Sequence, residues 1–344
     1  ATSKALRLRQ LLLQHIRWDG TYALTCNENP RQCLERGHGS NAAMNFIYLA
    51  MLREAGINCT PVLLRDRRMG DLMGNRPSLD RLSTFIVAMV DEEGLLYCTD
   101  CSLAWTSLNL LPPQFMVNLG IFYQPLRGNS HFVSLGNVGE HATKFLSNAT
   151  IASDGTIEGT LSTSYSGLQA LDMLQRRSQA ADSLQWVAEV AKEYDADITD
   201  YEATAEGYYK EQMKFHRKAK QDGGNIYFNP FILNGKFENP LPPGTRKFPI
   251  EFPSTSHKRF YSIYTLPEGY VAESLPRPIR LLTRNKEASA TCLISQQGNK
   301  LQTLLEIKLN QRTMPPQLYD ELRILWDKLI EMSQTTLVLK RPAP

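Results

Sequence analysis

Six cysteines, six histidines and a few clustered acids are the side chains in this 344-residue sequence that could carry nucleophilic or metal chemistry. Cys98-Thr99-Asp100-Cys101 is a C-x-x-C pair, which Cys26 and Cys33 could complete as a four-thiolate zinc site. The spacing argues against zinc. The gap between Cys26 and Cys33 is long, no knuckle glycine follows either, and on one strand Cys98 and Cys101 would face opposite sides. Cys26 and Cys33 could instead form a disulfide, or the thiols could all be buried and idle. Two residues are candidate nucleophiles: Cys98, beside Asp100, and Ser40, which follows Gly37-His38-Gly39. The latter run lacks the G-x-S-x-G elbow and reads more simply as a glycine-rich turn into a helix.

Asp195-Ala196-Asp197-Ile198-Thr199-Asp200, with Glu206 at position twelve, is a poor calcium loop, because Asp200 stands where the sharp turn wants glycine. A solvated acidic helix end is the simpler reading. Lys214-Phe215-His216-Arg217-Lys218-Ala219-Lys220 is a basic run with an aromatic inside, which could touch phosphate; it reads first as a solvated strand edge. No G-x-G-x-x-G and no Walker loop is present, so we expect neither a nucleotide cofactor nor a metal.

The elements that must position these groups follow from the apolar spacing. Residues 3–17 suit a helix with Leu6, Leu8, Leu11, Leu12, Leu13 and Ile16 along a broad side. Asn41–Ala55 is apolar all round and should be a buried helix, with Ser40 or Asn41 as N-cap and Gly56 just past its end. Short β-like runs follow at Cys59–Arg65, Thr84–Val90 and Leu95–Asp100, the last two joined across Asp91–Gly94. From about residue 130 the pattern is mainly β, with turns at Asp154-Gly155, Gly223-Gly224-Asn225 and Gly298-Asn299. Helices are expected at Gly167–Gln179 and Asp182–Tyr194. Another, opened by Pro315-Pro316, carries the stripe Leu318, Leu322, Leu325, Trp326 and Leu329, and a last strand spans Thr336–Lys340. The Pro/Gly-rich stretch 236–256 reads as a loop or junction.

Composition narrows the class. Lys+Arg 38 against Asp+Glu 35 gives +3, too small an excess to imply nucleic acid as a partner. No apolar run approaches the roughly 18–20 residues of a membrane span. The chain starts at Ala1 without methionine and so reads as a trimmed or processed fragment whose export signal, if any, lay upstream.

Gly39-Ser40-Asn41-Ala42-Ala43-Met44-Asn45 through Ala50-Met51-Leu52-Arg53-Glu54-Ala55-Gly56-Ile57, then Pro61-Val62-Leu63-Leu64, resembles the transglutaminase-like family over about residues 1–125. Active members open the buried helix with a cysteine and supply a histidine and an aspartate from two following strands, in the papain-type arrangement. The later Tyr264-Thr265-Leu266-Pro267-Glu268-Gly269-Tyr270, Glu273-Ser274-Leu275-Pro276 and Tyr319-Asp320-Glu321-Leu322-Arg323 resemble the β-rich domain that accompanies such domains in exported bacterial proteins. The resemblance implies an α+β protein: a papain-like domain at 1–128, then a β-rich domain at 129–344 with helices near 167–194 and 316–332. It also implies an exported, periplasmic or surface location.

Counting back from Gly56 puts the family's cysteine on Asn41, counting from Pro77 and Leu79 puts its histidine on Thr84, and Leu96-Tyr97-Cys98-Thr99-Asp100 puts its aspartate on Asp100. The chemistry needs a thiolate at a helix N-terminus and an imidazole to shuttle its proton. An amide cannot replace the first, nor a hydroxyl the second. Residue by residue, Asn41 reads as a helix cap, Thr84 as a strand residue and Asp100 as a strand end with local hydrogen bonds; together they are a vestigial triad. The expected function is non-catalytic: a binding or scaffolding module for a peptide, glycan or partner protein, in a cleft that outlives the thiol. The alternative is a hydrolase or acyl-transferase with Cys98 or Ser40 as substitute nucleophile.

Overall fold

The computed structural model describes residues 1–26, 28–72, 78–91, 93–105, 107–124, 128–205, 208–231 and 237–341. Two compact units divide the chain, Ala1–Glu140 and His141–Pro344, and both mix helices with mainly antiparallel sheet, so the class is α+β.

The first unit begins with α1 (Thr2–His15), β1 (Arg17–Trp18), α2 (Pro30–Arg36) and β2 (His38–Gly39). These lead into α3 (Asn41–Glu54). Ser40, not Asn41, caps this helix, its hydroxyl accepting from the Ala43 N–H at 3.2 Å. At the other end Gly56 adopts φ 74, and the Gly56 and Ile57 N–H groups bond Arg53 and Leu52 carbonyls, a Schellman stop that needs glycine. The strands β3 (Cys59–Leu64), β4 (Thr84–Val90), β5 (Leu96–Thr99), β6 (Leu119–Gln124) and β7 (Asn129–Ser134) form one sheet in the order β5-β4-β3-β6-β7. Because β7 pairs with β6, the first unit runs past the boundary expected at residue 128.

One core lies under α3. Met44, Ile47, Tyr48 and Leu52 meet Phe85, Val87 and Met89 of β4, with Ala5, Leu12 and Ile16 from the α1 side. The buried face of α1 is thus Ala5, Arg9 and Leu12, whereas Leu11 is exposed and Leu6, Leu8 and Leu13 are only half-buried. On β6, Gly120 lets β3 and Leu135 close in, since a Cβ there would meet Val62 Cγ1 at 2.5 Å.

The second unit opens with the hairpin β8 (Ala142–Ile151) and β9 (Thr156–Tyr165), then α4 (Leu168–Gln179) and α5 (Ser183–Tyr194). After these come β10 (Asp197–Ala205), β11 (Tyr209–Lys218), β12 (Lys220–Asp222), β13 (Asn225–Phe228) and β14 (Ile250–Glu251). The remainder is β15 (Ser256–Thr265), β16 (Val271–Ala272), β17 (Ile279–Leu282), β18 (Ala288–Gln297), β19 (Lys300–Leu309), β20 (Thr313–Met314), α6 (Tyr319–Ser333) and β21 (Leu337–Lys340). An eight-stranded sheet runs β10-β11-β9-β8-β15-β19-β18-β17, antiparallel except for the β8–β15 pair. Lys214–His216 therefore lies between two strands rather than at an edge, while Arg217 and Lys218 pair with β9 alone. Asp182 caps α5 through the Gln185 N–H.

The stripe of α6 is buried, with Trp326 at 8 % exposure and its ring 6.4 Å from that of Phe237. The Pro/Gly-rich stretch is no domain junction. Asn239 donates to Arg323 O and Asp327 Oδ1, Tyr319 donates to Pro242 O, and the segment packs as a loop along α6.

Candidate functional site

Asn41, the first residue of α3, Thr84, the first of β4, and Asp100, just after β5, share one hydrogen-bonded cluster and are all fully buried. Strand pairing brings β4 and β5 side by side, and α3 packs its N-terminal turn over their ends. Asn41 Nδ2 donates to Thr84 Oγ1 at 2.5 Å and to Asp100 Oδ2 at 3.2 Å. Asn45, one turn along the same face of α3, donates to Asp100 Oδ2 at 2.9 Å and to Phe85 O, and accepts from the Cys101 N–H. The second carboxylate oxygen of Asp100 accepts from the Ser102 N–H at 2.8 Å and from the Ser102 hydroxyl, which also meets the Tyr22 hydroxyl at 3.1 Å.

The cluster is closed by backbone. Ala23 N–H donates to Asn41 Oδ1 at 2.9 Å, and Ala23 O accepts the Thr84 hydroxyl at 3.0 Å. Two residues earlier, Thr21 O accepts the Asn41 N–H. The segment before α2 therefore lies where an open cleft was expected, and it satisfies both polar groups that would have faced a ligand. The open cleft at these three positions is not present.

Arg9 supports the cluster from behind. Fully buried, it donates to Asp100 O, Leu103 O and Trp105 O over 2.7–2.9 Å and so holds the turn that carries Asp100. The sequence signal for Arg9 was a cation in register with Ala5 and Leu12. For Asn45 it was a second amide, four residues after the first, in a buried helix. Neither was singled out from sequence.

The substitute nucleophiles are poorly placed. Cys98 is fully buried, and desolvation pushes its thiol up to about 12. Burial does the same to Cys101, against the opposing pull of Arg9. Ser40 spends its oxygen on the helix cap, while His38 is exposed. Cys26 and Cys33 are free thiols rather than a disulfide; Cys33 donates to Glu28 and, through burial and then that carboxylate, is raised to about 11.

Among the described residues no three His, Cys, Asp or Glu side chains converge as a metal site. Asp195 is the left-handed cap of α5 and Asp197 begins a strand, so the acidic run is no helix-flanked loop; its Glu206 lies outside the described residues, as does Pro77. No described helix is long and apolar enough to cross a membrane.

Comparison with known proteins bears on both units. Residues 224–339 match a family described as a "Domain of Unknown Function with solved-structure structure" (DUF3858). That span contains all three of the later motifs quoted above. Among solved structures, a "putative protease" from Parabacteroides distasonis has a similar fold, with TM-score 0.54 and 12 % identity. The match covers 98 % of this chain and 52 % of that one, so this chain spans about half of the solved protein's length. No curated protein matches in sequence.

Proposed function

We propose that the first unit is a catalytically degenerate transglutaminase-like domain of papain type, acting as a binding or scaffolding module for a peptide, glycan or partner protein. One observation carries the reading. The positions that would hold nucleophile, base and orienting acid hold Asn41, Thr84 and Asp100, sealed under Ala23 with their hydrogen bonds spent on one another. A general base must reach a substrate proton, and a nucleophile must reach a carbonyl carbon; neither path exists here. The closure moves any ligand away from the old cleft and favours scaffolding through other surfaces. A location outside the cytoplasm belongs to the same proposal and rests on the family resemblance.

The test is reactivity profiling of the native protein with iodoacetamide and a fluorophosphonate near neutral pH. We expect no cysteine or serine to react faster than in the unfolded chain. Selective labelling of Cys98 or Ser40, together with turnover of a generic peptide or amine-transfer substrate, would replace this reading with the hydrolase or acyl-transferase one.

A further inference from the structure

We propose that the second unit carries a binding cleft for a small organic carboxylate, between the C-terminal end of α5 and the turn linking β11, β12 and β13, with Arg217 at its floor. The cleft has a volume of about 530 Å³, within the range of small-molecule sites. It lies wholly within the second unit and does not depend on how the first unit works.

The charges around it do not cancel. Lys218 is held by Asp154 Oδ2 and Thr156 Oγ1, both at 2.9 Å, and His216 sits 3.5 Å from Asp197 and 4.0 Å from Glu158. Lys192 and Lys220, at the mouth, have no ion pair or side-chain hydrogen bond among the described residues. Arg217 has one side-chain hydrogen bond there, from Nη2 to Asn229 O at 2.7 Å. Three cations, Lys192, Arg217 and Lys220, thus stand against two lining acids, Asp195 and Asp197, the second of which lies beside a histidine that carries charge only when protonated.

Arg217 is also oddly placed for a surface cation. It continues the row of Met213 and Phe215 on the buried face of β11 and pairs with Ile157, which is fully buried. Its half-buried guanidinium keeps most of its N–H fork free while one nitrogen is anchored, an arrangement suited to bidentate capture of a carboxylate. Tyr227, Phe228 and Ala191 add aromatic and apolar wall beside it, which a bare inorganic ion would leave unused.

A carboxylate fits better than a phosphate because of the helix end. The cleft faces the C-terminus of α5, whose partial negative charge penalises a dianion more than a monoanion. No fan of backbone N–H groups of the kind that cradles phosphate is supplied by a helix terminus of that sense.

The experiment is calorimetric titration of the full chain at low salt and near neutral pH with two monoanionic carboxylates, glucuronate and N-acetyl-glycylglycine, and with inorganic phosphate. We expect saturable binding of at least one carboxylate with Kd on the order of 1 mM or tighter, and weaker phosphate binding. Preference between the two carboxylates assigns the source to glycan or peptide. Arg217→Gln should weaken binding about tenfold or more, as loss of a charged hydrogen-bonding fork does. Since Arg217 also anchors Asn229, the exposed pair Lys192→Glu with Lys220→Glu gives an independent reading, with binding reduced at an unchanged melting temperature. No saturation by either carboxylate at about 20 mM, far above such a Kd, would overturn the proposal. So would phosphate binding as tightly as the carboxylates, or full affinity in the Lys192/Lys220 double variant.

Discussion

Ala23 and Asn41 are joined backbone to side chain at 2.9 Å, and through Thr84 the same alanine returns to the cluster by its carbonyl. A residue with only a methyl side chain thereby closes the cluster of Asn41, Thr84 and Asp100 through its peptide groups. Every donor and acceptor of the Asn41 amide is used, and burial makes each of those bonds expensive to lose.

Removing the amide should therefore register as instability rather than lost activity. Asn41→Ala strands the Ala23 N–H and one Asp100 oxygen contact in a fully buried site, and the expected cost is about 2–4 kcal/mol. Urea denaturation of the variant and parent measures it. A change below about 0.5 kcal/mol, the scatter of ordinary surface substitutions, would mean the cluster is decorative.

Arg9 makes a stricter demand, because three carbonyls share one planar group. Arg9→Lys should fail to rescue the fold, since an ammonium cannot span Asp100 O, Leu103 O and Trp105 O at once. We expect a loss of about 2–4 kcal/mol for Arg9→Met and nearly as much for Arg9→Lys. Amide hydrogen exchange across residues 100–105 should quicken in both. A lysine variant with parental exchange there would show that charge alone holds the turn.

These residues also mark how far the sequence could be read. Ser40 and Gly56 bracket α3, and it is the family resemblance, not the spacing of the strands, that makes the meeting of Asn41, Thr84 and Asp100 legible. The closure was not legible, because Ala23 contributes peptide groups and no side chain that a pattern could flag. Arg9 was hidden by the leucines around it, which suggested a broad apolar side when the buried face was Ala5, Arg9 and Leu12. The strand β7, which lies past residue 128, gives little sequence signal for a related reason. β7 is exposed at nearly every position, so it lacks the alternation that announces a half-buried strand.

The second unit offers a test by pH. Glu211 is almost fully buried, and its Oε1 accepts from Tyr201 at 2.5 Å, Tyr209 at 3.1 Å and the Trp186 indole at 3.3 Å. Desolvation raises its pKa above the ordinary 4.5, outweighing these hydrogen bonds. A carboxyl raised on folding holds its proton longer in the native state than in the unfolded one. Its contribution is thus fully present below about pH 4.5 and is lost as pH climbs through the raised native value. Glu211→Gln should flatten that part of the stability profile, so parent and variant should diverge in slope above pH 4.5 in thermal melts. Parallel profiles would place the pH dependence elsewhere.

The α6 stripe yields a simpler expectation. Trp326 is 8 % exposed, with its ring tilted 39° to that of Phe237, so Trp326→Ala should cost about 3–5 kcal/mol, as truncation of a core tryptophan does. An unchanged melting curve would mean that the stripe serves contacts outside the fold.

Rebuilding the missing chemistry gives the sharpest test of the first unit. In Asn41→Cys the thiol would stand at the first residue of α3, where the helix terminus favours thiolate, with the Ala23 N–H already aimed at the side chain. Burial and the Asp100 carboxylate oppose that, so the single variant should ionise above the ordinary cysteine value of about 8.5. Adding Thr84→His places an imidazole beside the thiol, and an imidazolium stabilises the thiolate while Asp100 can orient the ring. Asn41→Cys alone keeps the Thr84 hydroxyl on Ala23 O and the double variant loses it, so each rate is followed across pH, where the midpoint reports ionisation and the plateau reports access. Measured against pH in a Cys26→Ser background, the double variant should react about tenfold or more faster near pH 7 than Asn41→Cys alone. Near-ultraviolet dichroism checks that both remain folded. Equal rates at every pH in two folded variants would show that positions 41 and 84 never formed a catalytic pair, and the degenerate-triad reading would fall.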